Sequence, residues 1–184
     1  MAKLRDYQAK AIAEIFANIR CGMSNNILHL PPGGGKTECA IAVILDCIKN
    51  DFPCVVVVRG RELVKNFSHR LDKYKIDHSV YMAGSPRLSA RKLIQVASVD
   101  TLSARSKYPY ADQECLVILD EQHKNYDKVY ENYPKAKFIG LSGTPFSDES
   151  NRYYHAAVSP IEAYELRDKG VLVDFKIYCP NMVS

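Results

Sequence analysis

Three consecutive glycines, Gly33 to Gly35, are followed directly by Lys36 and Thr37, and an apolar run ending in two prolines precedes them. A phosphate chain needs several backbone N–H groups aimed at one point, and glycines leave both the space and the dihedral freedom for that approach. A helix after the loop adds its partial positive charge, the lysine adds a full charge and the threonine offers a hydroxyl to Mg²⁺. The pattern therefore predicts a phosphate-binding loop, with a glycine-rich surface turn as the alternative.

A second group of reactive side chains follows the apolar segment 115–119, where Asp120 and Glu121 stand side by side. In open parallel sheets, ligands bind at the carboxyl ends of the strands. If this strand lies beside the strand of the glycine loop, both acids approach the phosphates. Asp120 then holds Mg²⁺ and Glu121 orients and deprotonates the attacking water. The alternative is a pair of acids that caps the next helix.

The elements that must position these residues alternate between strand and helix patterns. Strands are predicted at 27–30, 54–58, 79–82, 93–97, 115–119, 138–141 and 171–178, and helices at 4–20, 37–49, 61–74, 124–133 and 160–169. Helical spacing on the second helix predicts an inward face of Ala40, Ile41, Ile44, Leu45 and Ile48. Repeated βαβ units predict an α/β fold with a mostly parallel sheet and helices on both faces. The polar segment 147–154 is the most loop-like part.

Composition limits the class of protein. The 184 residues are 47% hydrophobic and 25% charged, which is ordinary for one globular domain, and the net charge of +4 is compatible with nucleic acid as a partner. There is neither an apolar run of membrane-spanning length nor an apolar signal region, so we expect no membrane partner and a cytoplasmic location. The six cysteines form no CxxC pair, which predicts buried free thiols in a reducing compartment.

Six short motifs, in order, resemble those of the first RecA-like domain of superfamily 2 helicases and translocases. They are LRDYQ (4–8), LPPGGGKT (30–37), VVRGRELV (57–64), VASVDTL (96–102), LDEQH (119–123) and GLSGTPF (140–146). The last is similar to the GLTATP form of the third helicase motif, and LDEQH to a DEAH-type motif. The branch resembles the XPB-like DNA repair helicases and the motor subunits of restriction enzymes.

Two positions depart from the family patterns. Leu30 stands where the strict phosphate-loop pattern has glycine, a change that the helicase form of the loop tolerates. Ser147 stands where the XPB-like pattern often has arginine after TPF, so no nucleotide or strand role is expected at that position.

The resemblance implies roles for individual residues. Lys36, Asp120 and Glu121 are the expected catalytic residues, and Thr37 and Asp120 the expected Mg²⁺ ligands. The expected nucleotide-binding set is Arg5, Gln8, Pro32, Gly33, Gly34, Gly35, Lys36, Thr37 and His123, with Arg5 and Gln8 at the adenine. The residues expected to couple nucleotide state to movement are Gln122, Ser142, Gly143 and Thr144, and those expected to contact the nucleic-acid backbone are Arg59, Arg61, Ser98 and Thr101. Two alternatives stay open: Arg5 and Gln8 as polar positions of the first helix, and Arg59 and Arg61 as solvated residues.

As a whole, the resemblance implies the N-terminal ATP-binding motor domain of an ATP-dependent DNA helicase or translocase that uses ATP and Mg²⁺. An RNA helicase domain and a non-catalytic, nucleotide-gated nucleic-acid-binding module are the alternatives. The implied RecA-like domain spans 1–184, with a core to about residue 158 and 159–184 leading into a linker. Nothing after residue 147 resembles a second RecA-like domain, which we expect in cis or in trans. In the absence of the arginine fingers of that second domain, this chain is expected to bind ATP weakly and to hydrolyse it poorly.

Overall fold

The computed structural model describes residues 4–89, 92–105, 107–121, 126–144 and 152–172. In chain order, its elements are α1 (Asp6–Arg20), β1 (Asn25–His29), α2 (Lys36–Lys49), β2 (Cys54–Val58), α3 (Arg61–Lys73), β3 (Ser79–Tyr81), β4 (Ile94–Ser98), α4 (Val99–Ala104), β5 (Leu116–Leu119), α5 (Asp127–Asn132), β6 (Lys137–Ser142), β7 (Ala156–Val158) and α6 (Ala163–Asp168). None of the helices described is both long and apolar enough to cross a lipid bilayer.

The described strands form one parallel sheet in the order β3-β4-β2-β5-β6-β1-β7. All five residues of β2 are buried, and successive side chains of a strand point to opposite faces. Cys54, Val56 and Val58 accordingly pack in the core with α1, α2 and α3, whereas Val55 and Val57 pack in the core with α4 and α5. The predicted α/β fold, with a parallel sheet covered on both faces, is confirmed.

Local differences from the predicted elements have physical causes. Ile48 is 39% exposed and does not face the core, because Cys47 takes the inward position in that turn of α2. The last helix, α6, begins at Ala163 and not at 160, because the Glu165 carboxylate accepts the Glu162 N–H at 2.9 Å and caps the helix there.

Other differences concern short elements. β7 and α4 are short elements that we do not predict from the sequence, and α5 is shorter than the predicted helix 124–133, of which residues 124 and 125 lie outside the described ranges. Val171 and Leu172 are not in a strand, and the rest of the predicted strand 171–178 also lies outside the described ranges.

Tyr133 is buried on the α5 side of the sheet, and its hydroxyl finds no hydrogen-bond partner among the described residues. Its ring makes an edge contact with Tyr108, with centroids 5.6 Å apart. Tyr133→Phe keeps the ring and removes the buried, unsatisfied hydroxyl. We therefore expect the free energy of unfolding in urea to rise by about 1 kcal/mol.

The matched control is Tyr110→Phe, because the Tyr110 hydroxyl donates to Lys92 O at 2.7 Å. Tyr110→Phe removes this hydrogen bond and leaves the Lys92 carbonyl oxygen without this donor. Its free energy of unfolding is therefore expected to fall by about 1 kcal/mol. A similar loss of stability in both variants would contradict the prediction for Tyr133.

His78 is buried between α3 and β3, and both of its ring nitrogens are hydrogen-bonded. Nδ1 donates to Ile76 O at 2.8 Å, so Nε2 of the neutral ring accepts from the Ser68 hydroxyl at 2.7 Å. Burial lowers the pKa of His78 and the Arg87 charge lowers it further, against the opposing effect of the Ile76 carbonyl and nearby carboxylates. The folded chain therefore holds this ring neutral.

The lowered pKa makes stability depend on pH. Histidine in the unfolded chain takes up a proton near pH 6.5, whereas His78 in the folded chain does so only at lower pH. The free energy of unfolding is therefore expected to fall as the pH drops below about 6.5, and this contribution stops changing below the folded pKa.

Denaturation at about pH 7.5 and about pH 5.5 measures the change, which His78→Gln should reduce. His69→Gln alters an exposed histidine of α3 and is the matched control. The same pH dependence in the parent and in His78→Gln would contradict this assignment.

Candidate functional site

The glycine loop connects β1 to α2 and turns sharply. The Gly34 N–H donates to Pro31 O at 2.8 Å. Gly33 and Gly35 have φ values of +79° and +87°, which other residues rarely adopt. A Cβ at Gly35 would lie 2.2 Å from Gln8 Nε2. Both the backbone conformation and the available space therefore require glycine at this position.

Helix α1 holds the loop through two side chains. The Tyr7 hydroxyl and Gln8 Nε2 both donate to Gly34 O, each at 3.0 Å, and Gln8 Oε1 accepts the Arg5 N–H at 2.8 Å. The Arg5 guanidinium also donates to the Tyr7 hydroxyl at 3.2 Å. Gln8 is only 3% exposed and lies against the loop backbone. The adenine role of Arg5 and Gln8 stays a prediction. Tyr7, which lies between them in sequence, also supports the loop, a role that the sequence motif does not indicate.

Lys36 is the first residue of α2, and its amine lies beside the end of β6. Nζ donates to Leu30 O at 3.2 Å, and a Cβ at Gly143 would lie 2.7 Å from Nζ. Ser142, the last residue of β6, donates its hydroxyl to Thr144 O at 3.0 Å. The structure thus brings the lysine of the loop and the predicted coupling segment together.

Other residues of the predicted phosphate site lie in the same loop and helix. Thr37 is half-buried in the first turn of α2, and Pro32 is exposed at the entrance to the glycines. Gln122 and His123 lie outside the described residues, as do Pro145 and Phe146 at the end of GLSGTPF.

Asp120 and Glu121 follow β5 at the same edge of the sheet as the loop. However, β5 does not pair with β1, because β6 lies between them. The arrangement considered from sequence, with the two strands side by side, is therefore wrong, and Ser142 to Thr144 stand between the loop and the acids. Glu121 has a φ of +54°, and its N–H donates to Asp120 Oδ1 at 3.1 Å.

Leu172 and α6, which come late in the chain, pack against the glycine loop. Leu166 of α6 is fully buried, and its Cδ1 would lie 3.6 Å from a Cβ at Gly34. A Cβ at Gly33 would lie 2.6 Å from Leu172 Cδ2. These leucines carried no sequence signal beyond a short helical pattern that ends at a glycine.

The predicted nucleic-acid residues gather at the ends of β2 and β4, which are adjacent and pair Val58 with Ser98. Arg61, Ser98 and Thr101 line one hollow of about 250 Å³. Arg59 lines a second hollow of about 250 Å³. The four residues are therefore neighbours along one edge of the sheet.

The hydroxyl residues of this group are less accessible than their motif suggests. Ser98 and Thr101 are both buried, and Thr101 Oγ1 accepts the Ala83 N–H at 3.1 Å. Arg61, in contrast, is exposed at the start of α3. Of the three predicted residues in the first hollow, Arg61 is therefore the accessible one, and Thr101 positions the backbone after β3.

One protein-family sequence model matches most of this chain. The model described as "Type III restriction enzyme, res subunit", named ResIII, matches residues 1–147. The African swine fever virus protein (isolate Pig/Kenya/KEN-50/1950) named "Putative ATP-dependent RNA helicase QP509L" is 27% identical over 154 residues, which is 77% of this chain and 29% of the relative.

Two solved structures have the same fold. The SWI2/SNF2 ATPase core of Sulfolobus solfataricus in complex with dsDNA is 24% identical with a TM-score of 0.64, covering 78% of this chain and 32% of that one. The UvsW helicase of bacteriophage T4 is 15% identical with a TM-score of 0.66, covering 85% of this chain and 60% of that one. The chain thus spans only part of the proteins it matches. It belongs to the ResIII family and has the RecA-like fold of the first domain of superfamily 2 helicases.

Proposed function

We propose that this chain is the N-terminal ATP-binding motor domain of an ATP-dependent DNA helicase or translocase. One observation carries the proposal: the glycine loop, the segment 142–144 and the acidic pair follow β1, β6 and β5 in turn along one sheet edge, and Arg59 follows β2 beside them. In this proposal, one RecA-like domain spans 1–184, with its core to about residue 158. Residues 159–184 lead towards a second RecA-like domain, in cis or in trans.

The loop is the part that binds the phosphates of ATP. Gly33 and Gly35 have the left-handed backbone that lets such a loop turn its N–H groups towards an anion, and the loop leads directly into the N-terminus of α2. Lys36 already holds its amine at the mouth of the loop, through its bond to Leu30 O. The amine adds a full positive charge near the β and γ phosphates.

Thr37 and Asp120 are the proposed ligands of Mg²⁺. A hydroxyl and a carboxylate are hard oxygen ligands, and Mg²⁺ in such sites takes few protein ligands because phosphate and water oxygens complete its coordination. When bound, the ion neutralises charge that develops on the transferred phosphoryl group. Asp120 is held at the sheet edge by its own N–H, which donates to Val57 O at 3.1 Å.

Glu121 is the proposed group that orients the attacking water and accepts its proton. Ser142, Gly143 and Thr144 stand between this acid and Lys36, so a shift of the β6 end reaches both sides of the nucleotide. This position supports a role of the segment in coupling ATP state to movement on a strand. Gln122 and His123 are proposed to share that role because they belong to the LDEQH motif.

Arg59 and Arg61 are the proposed contacts to the nucleic-acid backbone, because phosphate contacts by arginine are electrostatic and independent of sequence. DNA is favoured by the ResIII family description and by the dsDNA in the Sulfolobus complex. RNA is the second candidate, because the African swine fever virus relative is named an RNA helicase. We also infer a reducing, intracellular compartment, since the five described cysteines are free thiols and four are buried.

ATPase assays on a protein that carries this chain together with its second RecA-like domain, with single-stranded DNA, double-stranded DNA and RNA of equal length, test the proposal. We expect DNA to stimulate turnover more than RNA, and added salt to weaken the effect. Arg61→Ala should reduce stimulation, whereas Arg20→Ala, at the end of α1, should not. Stronger stimulation by RNA would support the second candidate. If ATP changes nucleic-acid binding but is not hydrolysed, the chain would be a nucleotide-gated binding module and not a motor domain.

A further inference from the structure

Tyr126 touches the acidic pair with one end of its side chain and the proposed nucleic-acid face with the other. It directly precedes α5 and is only 3% exposed. Its hydroxyl donates to Asp120 O at 2.6 Å, and its ring centroid lies 5.7 Å from the guanidinium carbon of Arg59. Burial raises the pKa of this hydroxyl, so it remains a proton donor at neutral pH.

The hydroxyl bonds to the peptide group that joins Asp120 to Glu121. The other polar end of that group, the Glu121 N–H, donates to Asp120 Oδ1 at 3.1 Å. Two hydrogen bonds therefore hold one peptide plane. Glu121 has a φ of +54°, which a non-glycine residue keeps only where its surroundings fix it. Because rotation of this plane swings the Glu121 side chain, the Tyr126 hydroxyl helps to aim the carboxylate.

The ring of Tyr126 lines the second hollow, together with Arg59, Lys128 and Asp100. The two cations outnumber the one carboxylate in this lining, so the open hollow has a net positive charge that attracts a phosphate. Arg59 directly follows β2, the strand whose carbonyl oxygen accepts the Asp120 N–H at 3.1 Å. The ends of β2 and β5 are therefore joined twice, by this backbone bond and by the contacts of Tyr126.

We propose that Tyr126 is a positioning residue that links occupation of this hollow by a nucleic-acid phosphate to the orientation of Glu121. The inference rests on the function proposed above. A phosphate drawn to Arg59 changes the contact of the guanidinium with the ring. The ring and hydroxyl move as one rigid group with two torsions, so the change reaches the Asp120 carbonyl. Tyr126 thereby sets the stimulation of ATP hydrolysis and not the affinity for either ligand.

Tyr126→Phe tests the link, because it removes the hydroxyl and keeps the ring. With saturating nucleic acid, we expect kcat to fall about tenfold, while KM for ATP and Kd for nucleic acid stay within about twofold. The control is Tyr130→Phe on α5, whose hydroxyl donates to the Tyr154 hydroxyl at 2.6 Å. It is expected to keep the parental kcat. Parental kcat in Tyr126→Phe, or an equal loss in both variants, would overturn the inference.

A double variant tests the connection to Arg59. If the two residues act through one path, Arg59→Ala combined with Tyr126→Phe should lose little more stimulation than the more damaging single variant. Losses that multiply would show that Tyr126 acts on Glu121 independently of the hollow, and would overturn the link.

Hydrogen–deuterium exchange at the amides of Asp120 and Glu121 tests the positioning without ATP turnover. Loss of one hydrogen bond is expected to speed exchange roughly threefold to tenfold in Tyr126→Phe but not in Tyr130→Phe. Unchanged exchange in Tyr126→Phe would overturn the inference. If the parent protein has no ATPase activity but exchange is still faster in Tyr126→Phe than in the parent, the proposed function is refuted and the positioning role of Tyr126 remains.

Discussion

Lys36→Ala is expected to lower nucleic-acid-stimulated ATP turnover by about 10²–10³-fold, the usual effect of deleting one preorganised donor to a developing charge. The variant removes the full positive charge of the loop, and the backbone N–H groups remain. ATP affinity should fall as well, because the lysine attracts the bound phosphates before and during reaction. Turnover and binding of a fluorescent ATP analogue provide the two measurements.

Lys49→Ala is the control for Lys36→Ala, because Lys49 is the exposed last residue of the same helix. It should match the parent in turnover and in nucleotide affinity. Thermal denaturation of both variants separates a chemical effect from loss of fold, since Lys36 also donates to Leu30 O. Full nucleotide affinity and turnover in Lys36→Ala would refute the phosphate role of the loop.

Glu121→Gln is expected to lower kcat by about 10²–10⁴-fold, the range for a positioned general base, with nucleotide affinity close to that of the parent. The amide has the shape of the carboxylate and can still hydrogen-bond to water, but it cannot accept the proton. Glutamine and glutamate face the same backbone requirement at a φ of +54°, so the local conformation should persist. Single-turnover kinetics report the chemical step directly.

Glu114→Gln is the matched carboxylate control, because Glu114 lies just before β5, at the edge of the sheet away from the loop, and pairs with Lys137 at 3.3 Å. It should retain the parental kcat. A Glu121→Gln variant that loses affinity for ATP but keeps kcat would show a binding role and contradict the assignment as base.

Much of the fold could be predicted from sequence because its signals are local. The run at β2 is apolar at every position and rich in β-branched valine, a pattern that suits a parallel strand buried on both faces. The glycines before Lys36 are likewise required by backbone conformation within a few residues of chain. Such constraints appear in the sequence at the position where they act.

The remainder of the site depends on contacts between distant segments. The sequence does not state that β6 separates β1 from β5, because strand order is set by packing and not by any single strand. Tyr126 gave no sign of its role, since twelve tyrosines are present and only the fold brings this one to the Asp120 carbonyl. Thr101 lies at the sheet end where its motif predicts it, but its hydroxyl oxygen accepts a hydrogen bond from the Ala83 N–H.

Gly143 and Lys36 are far apart in sequence, but the Lys36 amine lies close to the position that a side chain at residue 143 would occupy. An alanine, which the GLTATP form carries at the position of Gly143, would place a methyl group 2.7 Å from the amine and displace it. With glycine there, the Leu30 carbonyl competes with phosphate oxygens for the same lysine protons. We therefore expect the identity of residue 143 to change how readily the proposed phosphate loop binds ATP, although residue 143 belongs to another motif.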